Sequence, residues 1–227
     1  MEATFWHQKW EKGETAFHEA EPNPLLMRHW DGLSLAEGSR VFVPLCGKTR
    51  DIGWLHGRGH RIVGVELSEI PVAELFEEMA IVPKISQSGT FTRYSSERLE
   101  VLVGDFFALS SELLGEVDAV YDRGALVALP AELRPTYATH LLEVTGARPQ
   151  LLVTLHYEAH QLEGPPFLVE SELESHYGSA VPLERRQIPG GLRGGVKAWE
   201  TLWQVKPADA KAGKPLTGAR KSCRPVP

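Results

Sequence analysis

Arg61-Ile62-Val63-Gly64-Val65-Glu66-Leu67-Ser68 is a near-continuous apolar run that ends in an acid and a helix-capping serine. A strand with one wet face alternates apolar and polar residues, whereas a strand covered on both faces does not. The same texture recurs in Arg40-Val41-Phe42-Val43-Pro44-Leu45, Leu99-Glu100-Val101-Leu102-Val103, Val117-Asp118-Ala119-Val120-Tyr121 and Leu151-Leu152-Val153-Thr154-Leu155. Helical patterns fall between several of these runs. They cover Thr49 to Gly57, Ser68 to Ala80 with Ser68 as N-cap and Pro71 in the first turn, and Pro130 to Gly146. Strands alternating with helices predict an α/β fold, a doubly wound and mostly parallel sheet. The run Ala198 to Val205 alternates more strictly and predicts a closing antiparallel strand.

Composition sets the outer bounds. The 227 residues are 42% hydrophobic and 24% charged, which excludes a disordered or low-complexity chain. No window approaches the roughly 18 consecutive apolar residues of a spanning helix, and no secretory signal is evident, so a cytoplasmic, non-membrane protein is expected. Cys46 and Cys223 cannot form a disulfide framework. The net charge is −6, yet residues 206–227 carry +5, which leaves −11 on residues 1–205. The tail, rich in Pro and basic residues, is expected to be disordered, and residues 1–205 to form one domain. An acidic body argues against nucleic-acid binding. Residues 1–38 hold three of the six tryptophans, Trp6, Trp10 and Trp30, together with Phe17. This extension is either an aromatic lid over the strand ends or a staple to the core. A short helix is expected from Asn23 to Trp30.

In an open α/β sheet, ligands bind beyond the carboxyl ends of the strands. The first loop, Leu45-Cys46-Gly47-Lys48-Thr49, imitates the end of a phosphate-binding loop. It lacks the earlier glycine, because position 42 is Phe42, and the dinucleotide G-x-G-x-x-G is missing too. Glu66 ends the second strand nineteen residues after Gly47, where a carboxylate can accept both hydroxyls of a ribose or sit in a salt bridge. Asp105 follows the third strand, placed to bind an adenine amino group with Phe106 on the ring, or to cap the next helix. Arg123 follows the fourth strand and can hold a carboxylate or an anionic substrate, unless Asp122 is its partner. A ribose acid, no phosphate loop and an aromatic lid together suit S-adenosylmethionine, whose sulfonium is stabilised over aromatic faces, with Trp6 and Trp10 as candidates. No metal site is expected.

Several strings then point to one family. They are Phe5-Trp6-His7-Gln8-Lys9-Trp10, Gly13-Glu14-Thr15-Ala16-Phe17-His18, Val43-Pro44-Leu45-Cys46-Gly47-Lys48, Gly59 to Ser68, Tyr121 to Leu129 and Glu163-Gly164-Pro165-Pro166-Phe167. In this order they resemble the thiopurine S-methyltransferase family, a class I S-adenosylmethionine-dependent group, over about Phe5 to Val205. The resemblance implies a Rossmann-like class I methyltransferase: a mostly parallel seven-stranded sheet with an antiparallel last strand, helices on both faces and an N-terminal aromatic lid. It implies methyl transfer to the sulfur of aromatic or heterocyclic thiols such as thiopurines, with selenium and tellurium compounds as further acceptors. Cofactor contacts are implied for Trp6, Trp10, Leu45, Gly47, Glu66, Leu67, Asp105, Phe106 and Arg123. Substrate contacts are implied for Phe17, Arg123 and Pro166, with Arg123 as the catalytic group. A second family arginine aligns weakly with Arg193. Family members are usually monomers acting on small molecules.

Overall fold

The computed structural model describes residues 3–15 and 18–206; Phe17 and the basic tail beyond Lys206 lie outside them. The apolar runs form the middle of one sheet. In chain order the elements are α1 (Ala3–Glu11), α2 (Pro24–His29), β1 (Arg40–Val43), α3 (Arg50–Gly57), β2 (Arg61–Glu66) and α4 (Glu69–Glu78). Then come β3 (Lys84–Ser88), β4 (Phe91–Ser95), β5 (Leu99–Val103), α5 (Ser111–Leu114), β6 (Ala119–Arg123) and α6 (Arg134–Thr145). The series ends with β7 (Gln150–Tyr157), α7 (Leu173–Tyr177), β8 (Ala180–Gln187) and β9 (Ala198–Val205).

The sheet has nine strands in the order β3-β4-β5-β2-β1-β6-β7-β9-β8. Strands β5, β2, β1, β6 and β7 run parallel, and β9 joins β7 antiparallel. The segment from β5 to β8 holds the expected seven strands. The antiparallel β3–β4 hairpin adds two more beyond β5. β8 pairs antiparallel with β9 and carries Pro182 at a register shift. A proline without an N–H is tolerated there because β8 is an edge.

Alternation along each strand divides the core in two. Phe42, Val63, Val65 and Val120 pack on one face with Leu114 of α5, Tyr137 and Leu141 of α6, and Leu173 of α7. Val41, Val43, Ile62 and Tyr121 pack on the other with Leu25 and Leu26 of α2, Ile52 and Leu55 of α3, and Val72 and Phe76 of α4. Each fully buried side chain of this size contributes about 1.5–3 kcal/mol relative to exposure. Among the described residues no helix is long and apolar enough to cross a membrane.

Three expectations shift. The fourth strand, expected at Val117–Tyr121, lies at Ala119–Arg123, so Asp122 and Arg123 are its last residues and do not follow it. The third helix begins at Arg134 and not at Pro130, and Gly146 ends it in the left-handed region. Ser68 sits at the N-cap of α4, but its hydroxyl makes no cap hydrogen bond.

Candidate active site

β1 lies between β2 and β6, so the loop after β1 sits between the carboxyl ends of the other two. Leu45 has φ +46 and Gly47 has φ +50. The left-handed region costs a residue such as leucine roughly 1–2 kcal/mol, and strain of this kind persists where the surroundings over-determine it. The loop is pinned from below, because the Cys46 N–H donates to the Val65 carbonyl at 3.0 Å. A Cβ on Gly64 would stand 2.8 Å from the Cys46 Sγ, so only glycine admits that thiol. Burial, with Glu66 beside it, pushes the Cys46 thiol well up, as suits a packed turn residue. The Lys48 ammonium is held by Glu74 and Glu78 of α4, each at 2.8 Å, and is committed to that helix.

From above, α1 packs against α4, and the buried Trp10 covers the loop. A Cβ on Gly47 would lie 3.1 Å from the indole Cζ2. Trp6 is half-buried, with the Phe5 ring edge-on at 5.2 Å.

Glu66 points to the same face as Tyr121 and is buried. Its Oε2 accepts the Gly47 N–H at 2.9 Å and its Oε1 the Ser68 N–H at 3.0 Å. Burial raises its pKa; the N–H groups of Ser68, Gly47 and Leu67, and then His7, pull it back down. Glu66 is buried and makes no salt bridge among the described residues.

Arg123 emerges on that same face, two residues after Tyr121. Its Nη1 donates to the Asp51 Oδ2 at 3.4 Å, and its Nη2 stands 3.9 Å from Glu19. Burial works against the guanidinium charge, but Asp51, Tyr121, Glu200 and Glu19 outweigh it and raise the pKa. Asp51 is fully buried in the first turn of α3, where a helix start favours an anion. Asn23 donates its N–H to the Asp51 Oδ1 at 2.6 Å and its side-chain amide to Glu200 of β9 at 2.9 Å.

Asp122 is therefore not the partner of Arg123. It points to the opposite face, where its Oδ1 accepts the Ala125 and Leu126 N–H groups and its Oδ2 the Tyr137 hydroxyl at 2.8 Å. Burial drives it up to about 6 despite those donors. Asp105 is exposed and its Oδ1 accepts the Phe107 N–H at 3.0 Å, capping the short 3-10 turn Phe106–Ala108. The Phe106 ring is buried against Tyr137 at 4.9 Å and His140 at 5.0 Å, which turns it into the core; the exposed ring beside it is Phe107. Leu67 is half-buried between Glu66 and Ser68.

The Gly164–Phe167 loop folds back on the segment after β6. The Phe167 N–H donates to the Val127 carbonyl at 2.7 Å, the Tyr157 hydroxyl to the Pro166 carbonyl, and Arg134 lies over the Phe167 ring at 5.2 Å. Arg193 is exposed and donates to the Glu163 carbonyl at the mouth of this loop. Sequence reading missed Asn23, Asp51, Tyr121 and Glu200. Asn23 and Asp51 each carry a plain helix-start signature, and nothing in the sequence connects them to Arg123.

Two comparisons agree on kinship. A family model described as thiopurine S-methyltransferase matches residues 1–188. A protein named thiopurine S-methyltransferase from Xanthobacter autotrophicus is 47% identical over 213 residues, covering 92% of this chain and all of that one. Another so named, from Teredinibacter turnerae, is 48% identical over 90% of this chain and 97% of its own. Among solved structures, the 1,6-didemethyltoxoflavin-N1-methyltransferase of Burkholderia thailandensis, solved with S-adenosylhomocysteine, superposes with a TM-score of 0.61 at 17% identity, covering 90% of this chain and 87% of that one. At that identity the likeness carries the fold alone.

Proposed function

The chain belongs to the thiopurine S-methyltransferase family, and on that premise we propose that it transfers a methyl group from S-adenosylmethionine to the sulfur of aromatic or heterocyclic thiols such as thiopurines. Selenium and tellurium compounds are acceptors of the same soft chemistry. The reading takes residues 1–205 as one catalytic domain, acting as a cytoplasmic monomer on small molecules. A body at −11 without its tail is a poor match for nucleic acid.

One observation carries the reading. A buried carboxylate and a half-buried guanidinium, Glu66 and Arg123, stand at the carboxyl ends of two strands on one face and flank a loop pinned between Val65 and Trp10. The donor set fits the cofactor. Glu66 offers acceptor lone pairs for ribose hydroxyls, Trp6 and Trp10 offer indole faces for a sulfonium, and the loop offers main chain with no side chain at Gly47. Leu45, Leu67, Asp105 and the Phe106 main chain complete the cofactor side. On the acceptor side the family likeness assigns Phe17, Pro166 and Arg123.

Bound there, S-adenosylmethionine supplies an electrophilic methyl group on a cationic sulfur. The chain's own work is to align the acceptor with that methyl, which can be worth about 7–11 kcal/mol of barrier lowering. Aryl thiols are largely ionised near neutral pH, so no strong general base is needed. Arg123 favours the thiolate by charge and holds the acceptor from one side. Trp10, on α1, covers the loop at Gly47 and keeps water from it.

The test is calorimetric titration with S-adenosylmethionine, followed by product analysis with a heteroaromatic thiol and kinetics of two variants. Methyl transfer to sulfur is expected, and Arg123→Ala should lower kcat more than Glu66→Gln at saturating cofactor. Binding without transfer to sulfur overturns the acceptor assignment; no binding overturns Trp10, Glu66 and Asp105 together.

A further inference from the structure

Asp51 gathers four donors: the Asn23 N–H, the hydroxyl of its near neighbour Thr49, and two side chains of β6. The Asn23 N–H reaches its Oδ1 at 2.6 Å. The Tyr121 hydroxyl, the Thr49 hydroxyl and the Arg123 Nη1 reach its Oδ2 at 3.0, 3.1 and 3.4 Å. The carboxylate has no exposed surface, so its place is fixed by those donors. Arg123 is different. A guanidinium carries five N–H groups in a rigid fork, and among the described residues its only hydrogen bond is the one to Asp51. Glu19 stands at 3.9 Å, beyond hydrogen-bond range, and the side chain keeps 18% of its surface open. One edge of the fork is therefore held by Asp51, while the other, with Glu19 nearby, makes no hydrogen bond among the described residues.

We propose that Asp51 is a positioning residue for Arg123, holding the inner edge of the guanidinium so that the outer edge meets an anionic acceptor, an aryl thiolate or a carboxylate, in one orientation. Asn23 braces it, since the same residue that donates to Asp51 also binds Glu200 of β9 and caps α2 through its Oδ1. The inference rests on Arg123 facing the acceptor, as in the function proposed above. Asp51→Asn keeps the volume. With its carbonyl turned to the Asn23 N–H, its amide group faces Tyr121 and Arg123 with donors against donors.

The test uses the full chain. Asp51→Asn should lower kcat for a heteroaromatic thiol on the order of 10²-fold, the cost of a misplaced contact group. In an Arg123→Ala background it should lower kcat no further, because the group it positions is gone. Arg123→Lys keeps the charge without the two-edged fork and should be about as slow as Arg123→Ala. Nitrogen-15 NMR of the Arg123 Nη1–H, assigned by its loss in Arg123→Lys, should show hydrogen exchange roughly tenfold faster in Asp51→Asn. Additive losses in the double variant, normal kcat in Arg123→Lys, or unchanged exchange would overturn the proposal. If the wild-type chain methylates no thiol, the function reading fails by itself, and the exchange rate still decides whether Asp51 holds Arg123. Should Asp51→Asn not fold, the lysine variant decides.

Discussion

Glu66 ends β2 and Asp122 is the last but one residue of β6, the strands that flank β1, and each is a buried acid that collects two main-chain N–H groups. Burial raises the pKa of both. Their donors differ in origin. Those of Asp122 come from its own turn, Ala125 and Leu126, and the Tyr137 hydroxyl closes the remaining side. One donor of Glu66, Ser68, likewise comes from its own turn, but the other, Gly47, comes from the separate loop after β1. An acid fed only by its own turn is a cap, whereas an acid that also takes an N–H from the neighbouring crossover loop ties two strand ends together. The comparison teaches that the source of the donors, more than burial or pKa, separates a carboxylate that only caps from one that bridges two loops.

Removing the cap is the largest blow. Asp122→Ala orphans two N–H groups and a buried hydroxyl and should cost about 3–4 kcal/mol in urea unfolding, with unchanged cofactor affinity in the folded fraction. Equal losses in both quantities would erase the distinction. Glu66→Gln should do the reverse: calorimetry should show cofactor binding weaker by about 2 kcal/mol, with stability lowered by less than about 1. A pH series sharpens the contrast. Asp122 titrates near 6 when folded against an ordinary 3.8, so the folded chain holds its proton more tightly. Its contribution is then full below about 3.8 and is lost as pH rises through about 6. The stability of wild type minus Asp122→Asn should fall across that window and stay level above it; a rise would refute the assignment. The mildest change is Tyr137→Phe, expected to cost about 1 kcal/mol in thermal unfolding and leave cofactor binding as it was.

Much of the middle of the sheet was legible because strands covered on both faces must be apolar throughout. The β3–β4 hairpin was not. Lys84-Ile85-Ser86-Gln87-Ser88 is largely polar, and of the ten hairpin residues only Phe91 and Tyr94 are buried. β8 was hidden by Pro182, which reads against a strand until the edge position is known. At the site, Glu66 was legible because an acid ending an apolar run is unusual on sight. Phe106 misled, since its sequence neighbour Asp105 shares the strand end while its ring turns to the core. The Asp51 bracket could not be read at all. Tyr121 lies 70 residues from Asp51, and Glu200 lies 177 from Asn23, so only the packed sheet brings them together.

The sheet order has a consequence for how the protein is born. β9 lies inside the sheet, between β7 and β8, yet among the described strands it is the last to leave the ribosome. Until residue 205 emerges, β7 shows a bare edge, and β8, whose ladder is with β9 alone, has nothing to pair with. Glu200 also arrives only then to receive Asn23. A nascent chain stalled short of β9 thus carries an unpaired, largely apolar strand edge, the kind of surface that chaperones bind and that aggregates when left waiting.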